Sequence, residues 1–254
     1  MEQLYSQIID YVVKSGKRIN QRAGKIKDIG ITKQYLTEED IAIERGIKNL
    51  VNKFNPNHTF YAEEENFDFN KARDVWICNP ISGTRTFING LAHYGMAVAH
   101  MHNGKVVFSV VYDPSMNQLF TAYKGKGAFL NGERLKIKLV KNNPKVLFHL
   151  SIMWKDSGKS QKMFELLTKF ELYRNWNSQA LSYCHLAKGI YNGLIIFSKD
   201  SFPDFAGSLI VKEAGGIFTN LNGEKDIKPS DRVFIAGDKK TYGELKQMVD
   251  KIFS

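Results

Sequence analysis

The sequence predicts a layered α/β protein, and three observations carry that prediction. The first part holds two stretches with apolar residues at helical spacing. The middle carries alternating apolar and polar segments separated by turn signals, the mark of antiparallel strands on one sheet. The last part alternates strand-like and helix-like segments, the order of a layered α/β unit. A chain of 254 residues can bury a large core, and length alone allows one or two domains.

In chain order, Leu4, Ile8, Ile9, Val12, Val13 and Ile19 predict an amphipathic helix over 2–22. Residues 23–36 are basic, contain glycine and read as a loop or short hairpin. Thr37-Glu38-Glu39-Asp40 opens a second helix with Ile43, Ile47, Leu50, Val51 and Phe54 on one face. Thr37 is a good N-cap and Asp40 falls at N3, a variant of the capping box, so Asp40 has a structural role whatever else it does. Asn55-Pro56-Asn57 ends the helix. Residues 58–61 read as a short strand, followed by the acidic triplet Glu63-Glu64-Glu65, a pattern commonly found in solvated loops.

Residues 74–79 come next, a strand built on Val75, Trp76 and Ile77. It is expected to break at Pro80, which has no N–H for a sheet ladder. Gly83 allows a tight turn, and Thr84 and Thr86 are suited to cap a helix or turn just after it. Residues 95–101 and 105–112 flank Asn103-Gly104, the strongest hairpin signal in the chain. Asp113-Pro114, Gly125-Lys126-Gly127 and Asn131-Gly132 mark further reversals, so 59–140 reads as a meander on one large sheet. A soft boundary near 140–145 divides the chain into an N-terminal α+β half, 1–142, and a C-terminal α/β half, 143–254. The second half predicts strands at 146–153, 171–176, 193–197 and 233–236. Its helices are expected at 159–170, 178–189, 204–215 and 241–253, with Gly215-Gly216 ending the third.

Composition narrows the function classes. Hydrophobic content of 43% and aromatic content of 12% are ordinary for a globular chain. No apolar run approaches the length of a membrane span, and Glu2, Gln3, Ser6, Gln7 and Asp10 interrupt any secretory leader, so the cytoplasm is the expected location. Cys78 and Cys184 sit in apolar runs and read as reduced, buried thiols. The net charge of +10 favours anionic ligands. The basic residues are dispersed, with no stripe or module for nucleic acid, so nucleic acid is not an expected partner.

Three motifs together resemble the inositol monophosphatase family: Ala62-Glu63-Glu64, Asn79-Pro80-Ile81-Ser82-Gly83-Thr84 after a Trp-containing strand, and Pro203-Asp204-Phe205-Ala206-Gly207 leading into a helix that ends Glu213-Ala214-Gly215-Gly216. The resemblance spans nearly the whole chain in order and spacing. It implies a layered αβαβα sandwich, a Mg²⁺-dependent phosphomonoesterase scaffold, a small phosphorylated metabolite as ligand, and a homodimer. It further implies metal ligands at Glu63, Asn79, the Ile81 carbonyl and Asp204. Glu63 and Thr84 are implied to activate water, Asp40 to orient Thr84, and Ser82, Gly83, Thr84 and Arg174 to contact the phosphate or substrate.

The motif departs from the family pattern where the charge is needed. Asn79 and Ser82 stand where the family has aspartates. Asn79 keeps an oxygen without a full charge, and Ser82 lacks the carboxyl altogether. Mg²⁺ takes hard oxygen ligands in octahedral geometry, and each lost carboxylate weakens its binding by roughly ten to a thousand-fold, on the order of 1.4 to 4 kcal/mol. Weak or absent Mg²⁺ binding is therefore expected. The alternative to a phosphatase is a non-catalytic relative that binds a ligand or a protein. Asn175-Trp176-Asn177-Ser178-Gln179 also replaces a small-residue run usual in the family near its substrate-contacting groups, which argues against simple inositol phosphate specificity.

Overall fold

The computed structural model describes residues 1–31, 35–61, 72–139, 143–150, 157–174 and 178–253. Helices α1 (Glu2–Arg22) and α2 (Glu38–Phe54) form where the apolar spacing places them. The capping box is complete. The Asp40 carboxylate accepts from the Thr37 N–H at 2.9 Å and from its hydroxyl at 2.6 Å, and the Asp40 N–H donates to Thr37 Oγ1 at 3.4 Å. Leu4, Ile8, Val12 and Ile19 join Ile43, Ile47 and Val51 on one face of the first sheet.

That sheet has seven strands in chain order: β1 (Thr59–Tyr61), β2 (Asp74–Ser82), β3 (Gly95–His102), β4 (Lys105–Asp113), β5 (Gln118–Tyr123), β6 (Gly127–Leu130) and β7 (Glu133–Arg134). β1 and β2 are parallel, and β2 to β7 form the antiparallel meander. Alternation along the strands sorts the core into two. Trp76, Cys78, Val98, Phe108 and Val110 face α1 and α2, while Val75, Ile77, Ala97, Ala99 and Phe120 face the other way. A short helix, α3 (Thr84–Ile88), follows β2.

The second sheet contains β8 (Lys145–Leu150), β9 (Glu171–Arg174), β10 (Gly193–Phe197), β11 (Ile217–Asn220) and β12 (Val233–Gly237), in the order β11-β12-β10-β8-β9. Helices α5 (Gln179–Ala187) and α6 (Phe202–Glu213) fill the space between the sheets, and α4 (Ser157–Leu167) and α7 (Lys239–Phe253) cover the far face. The layers run helix, sheet, helix, sheet, helix, as expected.

Four details differ from the sequence reading. β2 runs through Pro80 to Ser82, because the register shifts between Asn79 and Ser82 and a proline at such an irregularity owes the ladder no N–H. Gly83, with φ +92°, is the N-cap of α3, so neither threonine caps it. α6 begins at Phe202, with Pro203 in its first turn, where a missing N–H is harmless. β11 was not foreseen, being a four-residue edge strand just after Gly215-Gly216. Cys78 and Cys184 are both buried thiols outside any disulfide. Among the described residues no helix is long and apolar enough to cross a membrane.

Candidate functional site

The end of β2, the start of α5, the end of β10 and the first turn of α6 are joined by one set of hydrogen bonds. The irregularity in β2 delivers Ser82 and Gly83 against the start of α5. A Cβ on Gly83 would lie 3.1 Å from the His93 carbonyl oxygen and 3.3 Å from the Ser178 nitrogen, so both the positive φ and the close approach call for glycine. The Thr84 hydroxyl donates to the Ile81 carbonyl at 2.8 Å. Ser82, 4% exposed, accepts at Oγ from the Ala180 N–H at 3.2 Å and from the Ser178 hydroxyl at 3.1 Å. Ser178 in turn caps α5 by accepting from the Leu181 N–H. The Ser178 N–H points at Nδ1 of His93 at 3.4 Å. Burial lowers the pKa of His93.

Asp204 is fully buried. Its Oδ1 accepts from Gln179 Nε2 at 2.5 Å and from the Tyr183 hydroxyl, and its Oδ2 accepts from the Ser198 hydroxyl at 3.0 Å. Gln179 Nε2 also donates to Ser198 Oγ at 2.5 Å. Burial pushes the Asp204 carboxyl up to about 7, outweighing the hydrogen bonds from Tyr183, Gln179 and Ser198 that work to lower it. Tyr183 reaches this carboxylate because Gly207 lies beneath it. A Cβ at Gly207 would fall 2.1 Å from the Tyr183 ring.

The structure thus ties Ser82, Gly83 and Asp204 to one helix start, with the Ile81–Thr84 hydrogen bond beside them. Asn79 lies on β2 opposite Ala97, half-buried. Asp40 sits in the α2 capping box. Arg174 ends β9, and its side chain lies outside the described residues, as do Glu63, Glu64 and Glu65. Tyr183, Ser198 and His93 were missed by sequence reasoning, and Gln179 was noted only for its bulk. Ser198 carried a usable signal, a polar residue at the carboxyl end of a strand in an α/β sheet, where ligands commonly bind.

Among the described residues Asp204, Ser82 and the Ile81 carbonyl fit a Mg²⁺ centre poorly, with one carboxylate among them, while Glu63 lies outside the described residues. Mg²⁺ needs several free oxygen lone pairs. Asp204 already accepts three protein donors, Ser82 accepts two, and the Ile81 carbonyl accepts Thr84.

A second cluster lies at the other end of β2, where ligand atoms of His58, Asp74 and His100 fall within 4.8 Å of one another. Hydrogen bonds set its tautomers. The Trp76 indole N–H donates to His58 Nδ1 at 3.1 Å, which leaves the ring hydrogen on Nε2, 3.8 Å from Asp74. The Tyr5 hydroxyl is 2.9 Å from His100 Nδ1, and His100 Nε2 is 3.1 Å from Asp74 Oδ1. The Asn103 amide is 3.1 Å from His102 Nε2, and His102 Nδ1 is 2.7 Å from Asp74 Oδ1. With Tyr5 and Asn103 donating, each imidazole turns an N–H toward the carboxylate. Indole is a donor only, so His58 offers Asp74 a hydrogen rather than a metal a lone pair. Burial pushes His100 down to about 4 and lowers His58, in keeping with neutral rings at these two residues.

Comparison with known proteins agrees with this architecture. A family profile described as "Inositol monophosphatase family" matches residues 1–252. The chain is 30% identical to the "Nus factor SuhB" of Pasteurella multocida over 226 residues, covering 87% of this chain and 83% of that one. It is also 30% identical to the "Fructose-1,6-bisphosphatase/inositol-1-monophosphatase" of Thermotoga maritima over 220 residues, covering 87% and 84%. A solved IMPase structure from Thermotoga maritima superposes with a TM-score of 0.83 at 26% identity, over 100% of this chain and 98% of that one.

Proposed function

The chain belongs to the inositol monophosphatase family, and from that premise we propose that it binds a small phosphorylated metabolite without hydrolysing it at ordinary Mg²⁺. The ligand classes are those of the scaffold: an inositol, sugar or nucleotide phosphate. The observation that carries the reading is Ser82. Where the family resemblance implies a metal-binding carboxylate, this chain has a hydroxyl closed onto Ser178 and Ala180. Together with Asn79 this removes two negative charges from the centre. The loss of negative charge also reduces repulsion toward a phosphate when no cation stands between.

In this reading Gly83 shapes the turn that meets the phosphate, and Thr84 and Arg174 contact the ligand, while Ser82, which the resemblance also places there, is turned onto Ser178 and Ala180. The resemblance assigns Asp40 to orient Thr84, whose hydroxyl here donates to the Ile81 carbonyl. Glu63, which the resemblance implies as a metal ligand and water-activating group, has neither role in this reading. The +10 net charge supports an anionic ligand. A homodimer belongs to the same proposal, on the resemblance alone.

The test is calorimetric titration, in chelator, of inorganic phosphate, an inositol phosphate, fructose bisphosphate and a nucleotide phosphate into the full chain. Binding of at least one, lost in Gly83→Ala, is expected. Absence of binding by all of them contradicts the proposal.

A second reading is a binding module for a protein partner. It is favoured by the relatives, which carry both a Nus factor name and a phosphatase name on one scaffold. The calorimetric test separates the two, since a pure protein-binding module shows no phosphate heat.

A further inference from the structure

We infer that the side-chain amide of Gln179 has taken the place of a cation at Asp204, so that Gln179 is a third determinant of metal exclusion beside Asn79 and Ser82. The inference rests on the reading that the centre no longer holds Mg²⁺, and it adds a residue outside the degenerate motif. A fully buried carboxylate, when ionised, must have its charge answered by a cation or by strong donors. At Asp204 the answer is internal. Gln179 Nε2 has two hydrogens, and both are used, toward Asp204 Oδ1 and Ser198 Oγ, each at 2.5 Å. Ser198 passes its own hydrogen to Asp204 Oδ2 at 3.0 Å, which closes a ring of amide, hydroxyl and carboxylate. Tyr183 adds a third donor at Oδ1.

The ring needs a long amide at this position. Alanine or serine has no group that bridges Ser198 and Asp204, and the small-residue run usual in the family at this stretch leaves that space open. Gln179 is held by more than its own contacts. It is the first residue of α5, between Ser178 and Ala180, the two residues that bond Ser82. The same helix start therefore closes both positions. Gln179 is 5% exposed and Ser198 is buried, so water does not compete freely for either donor. Restoring Asn79 and Ser82 to aspartates leaves this plug in place.

The experiment is Mn²⁺ titration of the full chain, read by the electron paramagnetic resonance signal of the free ion and by the shift in thermal midpoint. Four proteins are compared: wild type, Asn79→Asp/Ser82→Asp, that pair with Gln179→Ala, and that pair with Gln179→Ser. Wild type is expected to leave the free-ion signal unchanged. The pair binds weakly, and the triple variants bind at least tenfold more tightly than the pair. Triple variants no tighter than the pair overturn the role of Gln179 and leave the depleted-centre reading standing. Tight Mn²⁺ binding by wild type overturns that reading itself. A triple variant that folds only with Mn²⁺ supports the inference, because the ion then does the work of the amide. Triple variants that stay unfolded in Mn²⁺ overturn it.

Discussion

Ser82 Oγ accepts the backbone N–H of Ala180 at 3.2 Å, linking the end of β2 to the first turn of α5. The bond joins the first sheet to the helix layer between the sheets, and it satisfies one of the N–H groups that every helix start leaves without an intrahelical partner. Ser82→Ala is therefore expected to lower stability by about 1–2 kcal/mol. Ser82→Asp is expected to fold, since a carboxylate there meets the positive end of α5. Urea unfolding of both variants checks this, and a Ser82→Ala as stable as the wild type, or a Ser82→Asp that does not fold, contradicts it.

Tyr183→Phe removes one of three donors from the buried Asp204 carboxylate. The expected loss is about 1–3 kcal/mol. Gly207→Ala acts on the same contact from below, because the added Cβ meets the Tyr183 ring at 2.1 Å. It is expected to destabilise by about 1–3 kcal/mol or more. Thermal unfolding of each single variant and of the pair should show clear non-additivity, since both act through Tyr183.

Stability is expected to fall as pH drops from 6.5 toward 4. Burial holds His100, His149 and His185 at about 4, below their ordinary 6.5. Each takes up a proton on unfolding anywhere in that window, and burial of His58 and His93 acts in the same direction. Asp204 opposes them. Its carboxyl, raised by burial to about 7, is protonated in the folded state and ionised in the unfolded state over most of the window. Burial raises the Asp113 carboxyl as well, so two carboxyls stand against five histidines, and the balance is a net uptake of protons on unfolding near pH 5. Urea unfolding at stepped pH measures the slope, and a flat profile between 6.5 and 4 contradicts the account.

Zn²⁺ is expected to leave the thermal midpoint of the wild type unchanged, because Trp76 fixes His58 with its hydrogen toward Asp74. Trp76→Phe removes that constraint together with core packing, as Trp76 is fully buried. Stabilisation of the wild type by Zn²⁺ contradicts the tautomer assignment.

Much of the fold was legible because it rests on local chemistry. The α2 capping box, the Asn103-Gly104 turn and the apolar stripe of α1 are each set by a few neighbouring residues. β2 was cut short because proline signals a strand end locally, whereas the observed irregularity depends on the pairing with β3. The motif positions Ser82, Gly83 and Asp204 were legible through the family resemblance. Their connection was not. Gln179 and Asp204 are 25 residues apart, and only the packing of α5 against α6 shows that a bulky amide reaches a carboxylate. The His58–Asp74–His100 cluster escaped notice for the same reason, its members lying on different strands or ahead of them.

The most direct test of the central claim is phosphate release from inositol, sugar and nucleotide phosphates, with Mg²⁺ and Mn²⁺ titrated, by the wild-type chain. No release above the uncatalysed background is predicted at ordinary Mg²⁺. Metal-dependent turnover by the wild type would contradict the claim that Asn79, Ser82 and the closed Asp204 network leave the scaffold without its metals.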